Sequence, residues 1–294
     1  MTSHRPALTL SPVVAGMMRL SRWNLSPQQR HTFIRRCLEM GISSFDHADI
    51  YGGFSCETLF GEALRIEPSL RGNMELVSKC NIVPKQENNP ARRIGHYNST
   101  FDHIVSSAER SLKNLQTDYL DLLLIHRADP LMDATEVARA FEHLRATGKV
   151  RHFGVSNFDI NKMQLLQSRL NTPLQTNQIE LSLLHWEALE NGMSDYLQQQ
   201  NIAPMIWSPL AGGRLFSEGK PQLVTVLREL SQKYESSPAA LAFAWIARVP
   251  FGARIITGSG KIERLREAID GSSINLSRHD WFWLYRAARG YDVP

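Results

Sequence analysis

YLDLLLI, residues 119–125, is a nearly continuous apolar run broken only by Asp121. It lacks the polar–apolar alternation of a strand with one wet face, so it reads as a strand covered on both sides, as strands of parallel sheets are. A parallel neighbour requires a crossover, and Asp133 caps a helical segment that stops at Gly148 before the next strand at Val150–Val155.

The same alternation extends in both directions. Upstream, strands are expected at Val13–Leu20, Ser43–Asp49 and Met74–Cys80. Helices are expected from the Ser26-Pro27 cap to Met40, over Glu57–Leu64 and over Asp102–Leu115. Downstream, Gln175–Leu181, Ala203–Trp207 and Arg254–Thr257 read as strands. Asp159–Arg169, Glu187–Gln199, Gln222–Tyr234, Pro238–Arg248 and Lys261–Asp270 read as helices, with an additional C-terminal one at Ser277–Ala288. One stretch, Asn81 to about Thr100, has no pattern; it is polar, long for a connection, and reads as a functional loop.

Eight strands alternating with helices, with no Ser/Gly-rich linker, predict an α/β fold: a (β/α)8 TIM barrel forming a single domain over residues 1–294. A doubly wound open sheet competes, but no G-x-G-x-x-G follows the first strand, and Gly16-Met17-Met18 is a poor substitute.

Composition narrows the function classes. The 33 basic and 29 acidic residues give a net charge of +4 but are interspersed, so no basic arm or stripe points to nucleic acid. The three cysteines, Cys37, Cys56 and Cys80, have neither disulfide-framework nor zinc-site spacing. No charged segment followed by an apolar core opens the chain, and no run approaches the ~18 apolar residues of a membrane span. A soluble, cytoplasmic protein is expected.

In a barrel of this kind the chemistry lies at the C-terminal ends of the strands. There the sequence has Asp46, Tyr51 just beyond it in FDHADIYG, Lys79 and His126. A phenol with a pKa of about 10 exchanges protons poorly at neutral pH; an adjacent ammonium stabilises its phenolate. Lys79 is expected to lower the pKa of Tyr51, Asp46 to hold Lys79, and His126 to hydrogen-bond a substrate oxygen. Singly, each also fits a plain structural role: an ion pair, a strand-end histidine, a loop aromatic. A metal at His47, Asp49 and His126 is the weaker reading, because His47 points to the opposite strand face from Asp46.

FDHADIYG, VSKC, LLLIHR, FGVSNF, TNQIELS, WSPLAGGRL and IITGSGKIERL, in this order over residues 45–265, resemble the aldo-keto reductase superfamily, and within it bacterial members described only as oxidoreductases. The resemblance implies an NAD(P)H-dependent reductase of aldehydes or ketones, with NADP(H) preferred, NAD(H) possible and no metal. It implies Tyr51 as general acid, Lys79 and Asp46 in support, and His126 orienting the carbonyl. It assigns Ser156, Asn157 and Gln178 to the nicotinamide carboxamide and Trp207 to the ring. Ser208, Leu210, Gly212 and Arg214 would follow the pyrophosphate, and Gly258, Gly260, Arg264 and Glu267 would lie toward the adenosine end. Met17 and Met18 stand where Thr-Trp is more usual and, with Asp46, are candidate cofactor contacts; Gly258 and Ala268 replace a common lysine and asparagine, with Lys261 available in compensation. Trp23, Phe54 and Arg127 are candidate substrate neighbours, and Arg92, Arg93 and His96 in the long loop could select anions. The partner is a small carbonyl substrate. The alternative reading is an NADP(H)-binding redox-sensing or regulatory barrel with little turnover.

Overall fold

The computed structural model describes residues 8–87, 89, 92–217 and 220–292. Eight strands run parallel to one another and close into a barrel: β1 (Val13–Gly16), β2 (Ser44–Asp46), β3 (Glu75–Cys80), β4 (Leu120–Ile125), β5 (Val150–Ser156), β6 (Asn177–Glu180), β7 (Met205–Trp207) and β8 (Arg254–Thr257). The order around the barrel is β1-β8-β7-β6-β5-β4-β3-β2, so sequence neighbours are also neighbours in the sheet. At least one helix lies between each consecutive pair, which is the expected (β/α)8 arrangement.

By compactness the chain divides into two units, one running through Ala15–Asn177 and the other from Gln178 onward with Pro12–Val14. In the first, β3 and β4 pair from Val77↔Leu122 to Cys80↔Ile125, and all six residues of β4 are buried. The carboxylate within that apolar strand is satisfied. Asp121 accepts from the Leu76 amide at 2.9 Å, from Arg71 at 2.7 Å and from Arg151 at 3.1 Å, and both guanidinium groups lie over the Tyr119 ring. This arrangement satisfies a buried charge that would otherwise cost several kcal/mol (on the order of 3–5 if a partner were removed). Local signals start the helices as read: Ser26 and Gln29 form a reciprocal capping box with Pro27 in the first turn of Pro27–Glu39, and Asp133 and Asp159 each cap their helix.

In the second unit, the C-terminal helix Arg278–Arg289 packs Trp281 on Trp245 with ring centroids 5.1 Å apart and planes within 7°. Asp280 accepts from Lys233, Tyr234 and Ser277, tying that helix to Pro221–Lys233.

The main departures from the sequence reading have local causes. The first strand ends at Gly16 rather than Leu20, because the chain turns into a 3-10 helix at Leu20–Arg22. The second ends at Asp46, although His47 and Asp49 still donate to the Val77 and Lys79 carbonyls. The helix expected over Glu187–Gln199 is broken into Glu187–Leu189 and Met193–Gln199 by Gly192 at φ +84°. The patternless loop contains an antiparallel pair, Ile82–Val83 with His96–Tyr97, too short for any periodicity to show.

Gly61 shows how tightly the helical layer packs in the first unit. A Cβ there would overlap the Asn114 carbonyl oxygen, a backbone atom of the neighbouring helix Phe101–Leu115. Helix propensity alone would make Gly61→Ala stabilising by ~1 kcal/mol. The close approach reverses the sign: the variant should lose about 1–3 kcal/mol through overpacking, seen as a lower thermal midpoint.

Candidate active site

β2 and β3 are adjacent and parallel, with Phe45 opposite Leu76 and Asp46 opposite Val77. This register brings Asp46, at the end of β2, within reach of Lys79, near the end of β3. The Lys79 side chain is fully buried, and its ammonium makes three bonds: to Asp46 Oδ2 at 2.8 Å, to the His47 carbonyl at 2.7 Å and to Tyr51 Oη at 3.1 Å. An ammonium has three N–H donors and no acceptor, so all three are committed. Tyr51 Oη therefore accepts from Lys79, and its own proton is free to point elsewhere.

A sharp turn delivers Tyr51 to this position. Gly52 and Gly53 take φ +61° and +63°, and Phe54 follows at φ +72°. At Gly52 a Cβ would meet Cys56 Sγ at 2.6 Å and Ser21 Oγ at 2.7 Å, so glycine is required there by both conformation and space. From the next strand, the end of β4 brings His126, whose ring lies edge-on to Tyr51 with centroids 5.8 Å apart. The four residues read as one set from the sequence are together.

Their electrostatics are set first by burial. Burial works against the Lys79 charge, but Asp46 and Tyr51 outweigh it, and the pKa is raised. Burial, then Lys79 and Arg127, hold His126 well below the usual histidine range, so the imidazole is neutral at physiological pH. Its Nδ1 is buried without a hydrogen-bond partner, which favours the tautomer with the proton on Nε2. At Tyr51, Lys79 acts in the expected direction, lowering the pKa, but the net shift is upward. Burial raises its pKa and Asp46 adds to this, while Lys79 pulls in the opposite direction without prevailing. The resting phenol stays protonated.

The other candidates are distributed as follows. Met17 is buried and its amide donates to the Asp46 carbonyl, whereas Met18 is exposed. Ser156 closes β5, and Asn157, at φ +57°, donates from its side-chain Nδ2 to Ser156 Oγ at 2.8 Å. Trp23 packs on Phe33 at 5.2 Å, and Phe54 lies 6.0 Å from the Arg110 guanidinium. Arg127 is half-buried, with its charge acting on both Tyr51 and His126. Arg93 and His96 are exposed, and Arg92 is half-buried.

In the second unit, Gln178 is buried on β6 and Trp207 ends β7 half-buried. Beyond Trp207, Ser208, Ala211, Gly212 and Gly213 all have positive φ, and Arg214 Nε donates to the Ala211 carbonyl at 3.1 Å. Leu210 precedes the 3-10 turn Ala211–Gly213. Gly258 and Gly260 are half-buried ahead of helix Ile262–Ser272, which has no capping side chain and carries an exposed Arg264 in its first turn. Ala268 is fully buried, and the Glu267 carboxylate accepts from the Ser237 hydroxyl. Among the described residues no group of three or more His, Cys, Asp or Glu side chains could hold a metal ion, and no helix is long and apolar enough to cross a membrane.

In the sequence Asn81 is simply the first residue of the patternless stretch after the third strand. Asn81 is fully buried at φ +95°, and its side chain bonds both the amide and the carbonyl of Arg127. The available signal was its type: asparagine directly after a strand is among the few residues that adopt a left-handed conformation readily.

Residues 12–284 match the model of the aldo/keto reductase family. The chain belongs to that family. Among its relatives, the oxidoreductase YdhF of Escherichia coli K12 is 50% identical over 97% of this chain and 95% of its own length. A 6-dehydroglucose reductase of Agrobacterium fabrum C58 is 42% identical over 97% of both. A crystal structure of an aldo/keto reductase from Klebsiella pneumoniae in complex with NADP and acetate superposes with a TM-score of 0.78 at 27% identity, covering 97% of this chain and 93% of the other. This aldo/keto reductase is accordingly an oxidoreductase on the expected barrel.

The histidine beside Asp46 tests the electrostatic account of this reductase. His47 is fully buried, edge-on to Phe60 at 4.6 Å, with neither ring nitrogen hydrogen-bonded. Burial, then Lys79, push its pKa down to about 3. In the unfolded chain it titrates near ~6.5, so the unfolded state binds the extra proton between these values. The stability His47 contributes is complete above about 6.5 and is lost as pH falls toward about 3. Asp49, pushed up to about 7 by burial and Glu57, has the opposite sign and loses stability as pH rises through that value. Replacing His47 by Phe should flatten the acid limb of a plot of thermal midpoint against pH and leave the alkaline limb in place.

Proposed function

We propose that this aldo/keto reductase reduces a small aldehyde or ketone to the alcohol with NADP(H), and that Tyr51 gives the proton. One observation carries the reading: Tyr51 Oη accepts a hydrogen bond from the fully buried Lys79 ammonium while its own phenol remains protonated. NADPH, when bound, supplies the hydride for the carbonyl carbon.

The chain's own residues account for the proton. Neutral His126 offers an N–H to the substrate oxygen and holds it beside Tyr51. As negative charge grows on that oxygen, Tyr51 transfers its proton there, and the phenolate left behind faces an ammonium already in place. Lys79 thus stabilises the transition state more than the resting state, which is what lowers a barrier. Asp46 keeps that ammonium charged in a site where burial opposes it.

The residues present fit a dinucleotide phosphate. Ser208 and the consecutive positive-φ residues Ala211, Gly212 and Gly213 can turn backbone amides toward an anion, and among the described residues nothing beyond the chain neighbours lies within 4 Å of where a Cβ on Gly212 or Gly213 would sit. Arg214 adds charge, and the uncapped start of helix Ile262–Ser272 offers free amides with Lys261 and Arg264 beside it. We assign the nicotinamide to Ser156, Asn157, Gln178 and Trp207, and the adenosine phosphate to Arg264 with Lys261. NADP(H) over NAD(H) follows from those two cations; Gly258 and Ala268 add nothing to it.

The test is Tyr51→Phe. NADPH oxidation would be followed with 4-nitrobenzaldehyde, glyceraldehyde and 6-dehydroglucose, the last because the Agrobacterium relative is named for it. The variant should bind NADPH as the parent does, by quenching of tryptophan fluorescence, and lose at least ~100-fold in turnover. Undiminished turnover would remove Tyr51 from its assigned role.

A further inference from the structure

β3 and β4 part company one residue beyond Cys80. Their last backbone rung is the His126 amide donating to the Cys80 carbonyl at 2.9 Å. At Asn81 the main chain turns to φ +95° and leaves for the Ile82–Val83/His96–Tyr97 pair, so it cannot provide the next rung. The Asn81 side chain provides one instead. Its Oδ1 accepts from the Arg127 amide at 3.0 Å, and its Nδ2 donates to the Arg127 carbonyl at 2.8 Å and to Ser99 Oγ at 3.1 Å. The Asn81 carbonyl accepts from the Asn98 amide at 2.8 Å.

A primary carboxamide carries the same donor and acceptor pair as a peptide group, so the exchange with Arg127 is a ladder rung made by a side chain. It closes directly after His126, the residue that must be held against Tyr51, and it fixes the main chain of Arg127. In one buried position, Asn81 also binds the base of the long loop through Ser99 and Asn98.

We propose that Asn81 is a positioning residue of this active site: its carboxamide extends the β3–β4 ladder past the point where the backbone departs, and so fixes His126 and Arg127 relative to Tyr51 and Lys79. The proposal rests on the carbonyl-reductase reading for its kinetic consequence but not for its structural one. Misplacing a catalytic group by about 1 Å can cost on the order of 100-fold in rate, so a partial loosening of His126 should be readily measurable.

The variant of choice is Asn81→Gly, which removes the carboxamide yet accommodates the left-handed backbone without strain. Single-turnover NADPH oxidation with 4-nitrobenzaldehyde would be measured for the parent, Asn81→Gly, His126→Ala and the double variant, and amide hydrogen exchange would be followed over residues 120–130. NADPH affinity by fluorescence quenching reports that each protein is folded. Asn81→Gly should lower the rate about 10-fold in the parent and less than about 2-fold in the His126→Ala background, because a residue acting through His126 has nothing left to position. The Arg127 amide should exchange faster. An equal loss in both backgrounds, or no loss at all, would overturn the proposal. Tyr51→Phe, run alongside, tests the carbonyl-reductase reading separately. If that reading fails, exchange at Arg127 decides: faster exchange supports the side-chain rung, and unchanged protection overturns it.

Discussion

A fully buried ammonium whose three donors meet three acceptors organises this site. Lys79 is shielded from water, so its charge is tolerated only because Asp46, the His47 carbonyl and Tyr51 are all within hydrogen-bonding distance. Two of those groups come from the end of β2 and the third from the turn that follows it. The β2–β3 register, the continued bonding of His47 and Asp49 to β3, and the glycine turn after Tyr51 all serve to place those acceptors. Removing one partner of such a pair costs roughly 3–5 kcal/mol, so the chemistry and the local fold share one constraint.

The same burial that makes Lys79 demanding gives its neighbours their protonation states. His126 is kept neutral and Tyr51 protonated, both because water is excluded before any specific partner is considered. In the proposed mechanism, a phenol held in its acid form beside a fixed cation gives its proton and bears the charge that remains. Under that proposal Lys79 matters for stabilising the phenolate once formed more than for how much of it exists at rest.

Much of this was legible in the chain. The nearly continuous YLDLLLI run and the alternation around it point to a parallel barrel, and the strand-end rule alone groups Asp46, Tyr51, Lys79 and His126. What escaped has physical causes. The net direction at Tyr51 depends on how fully the phenol is buried, which spacing does not encode. The Ile82–Val83/His96–Tyr97 pair is two residues long, below any period. The role of Asn81 comes from its backbone leaving the ladder while its side chain stays, visible only in three dimensions. Asp121, an apparent flaw in an apolar strand, makes sense only once Arg71 and Arg151 are seen to meet it.

The central claim is that the buried Asp46–Lys79 pair readies Tyr51 for proton transfer, and one measurement addresses it directly: the single-turnover rate of NADPH oxidation by the Asp46→Asn, Lys79→Met double variant with a saturating aldehyde. Removing both charges leaves neither one buried and unpaired, so the barrel should persist. The account predicts a rate lower by at least ~100-fold than the parent's. A rate equal to the parent's would contradict it.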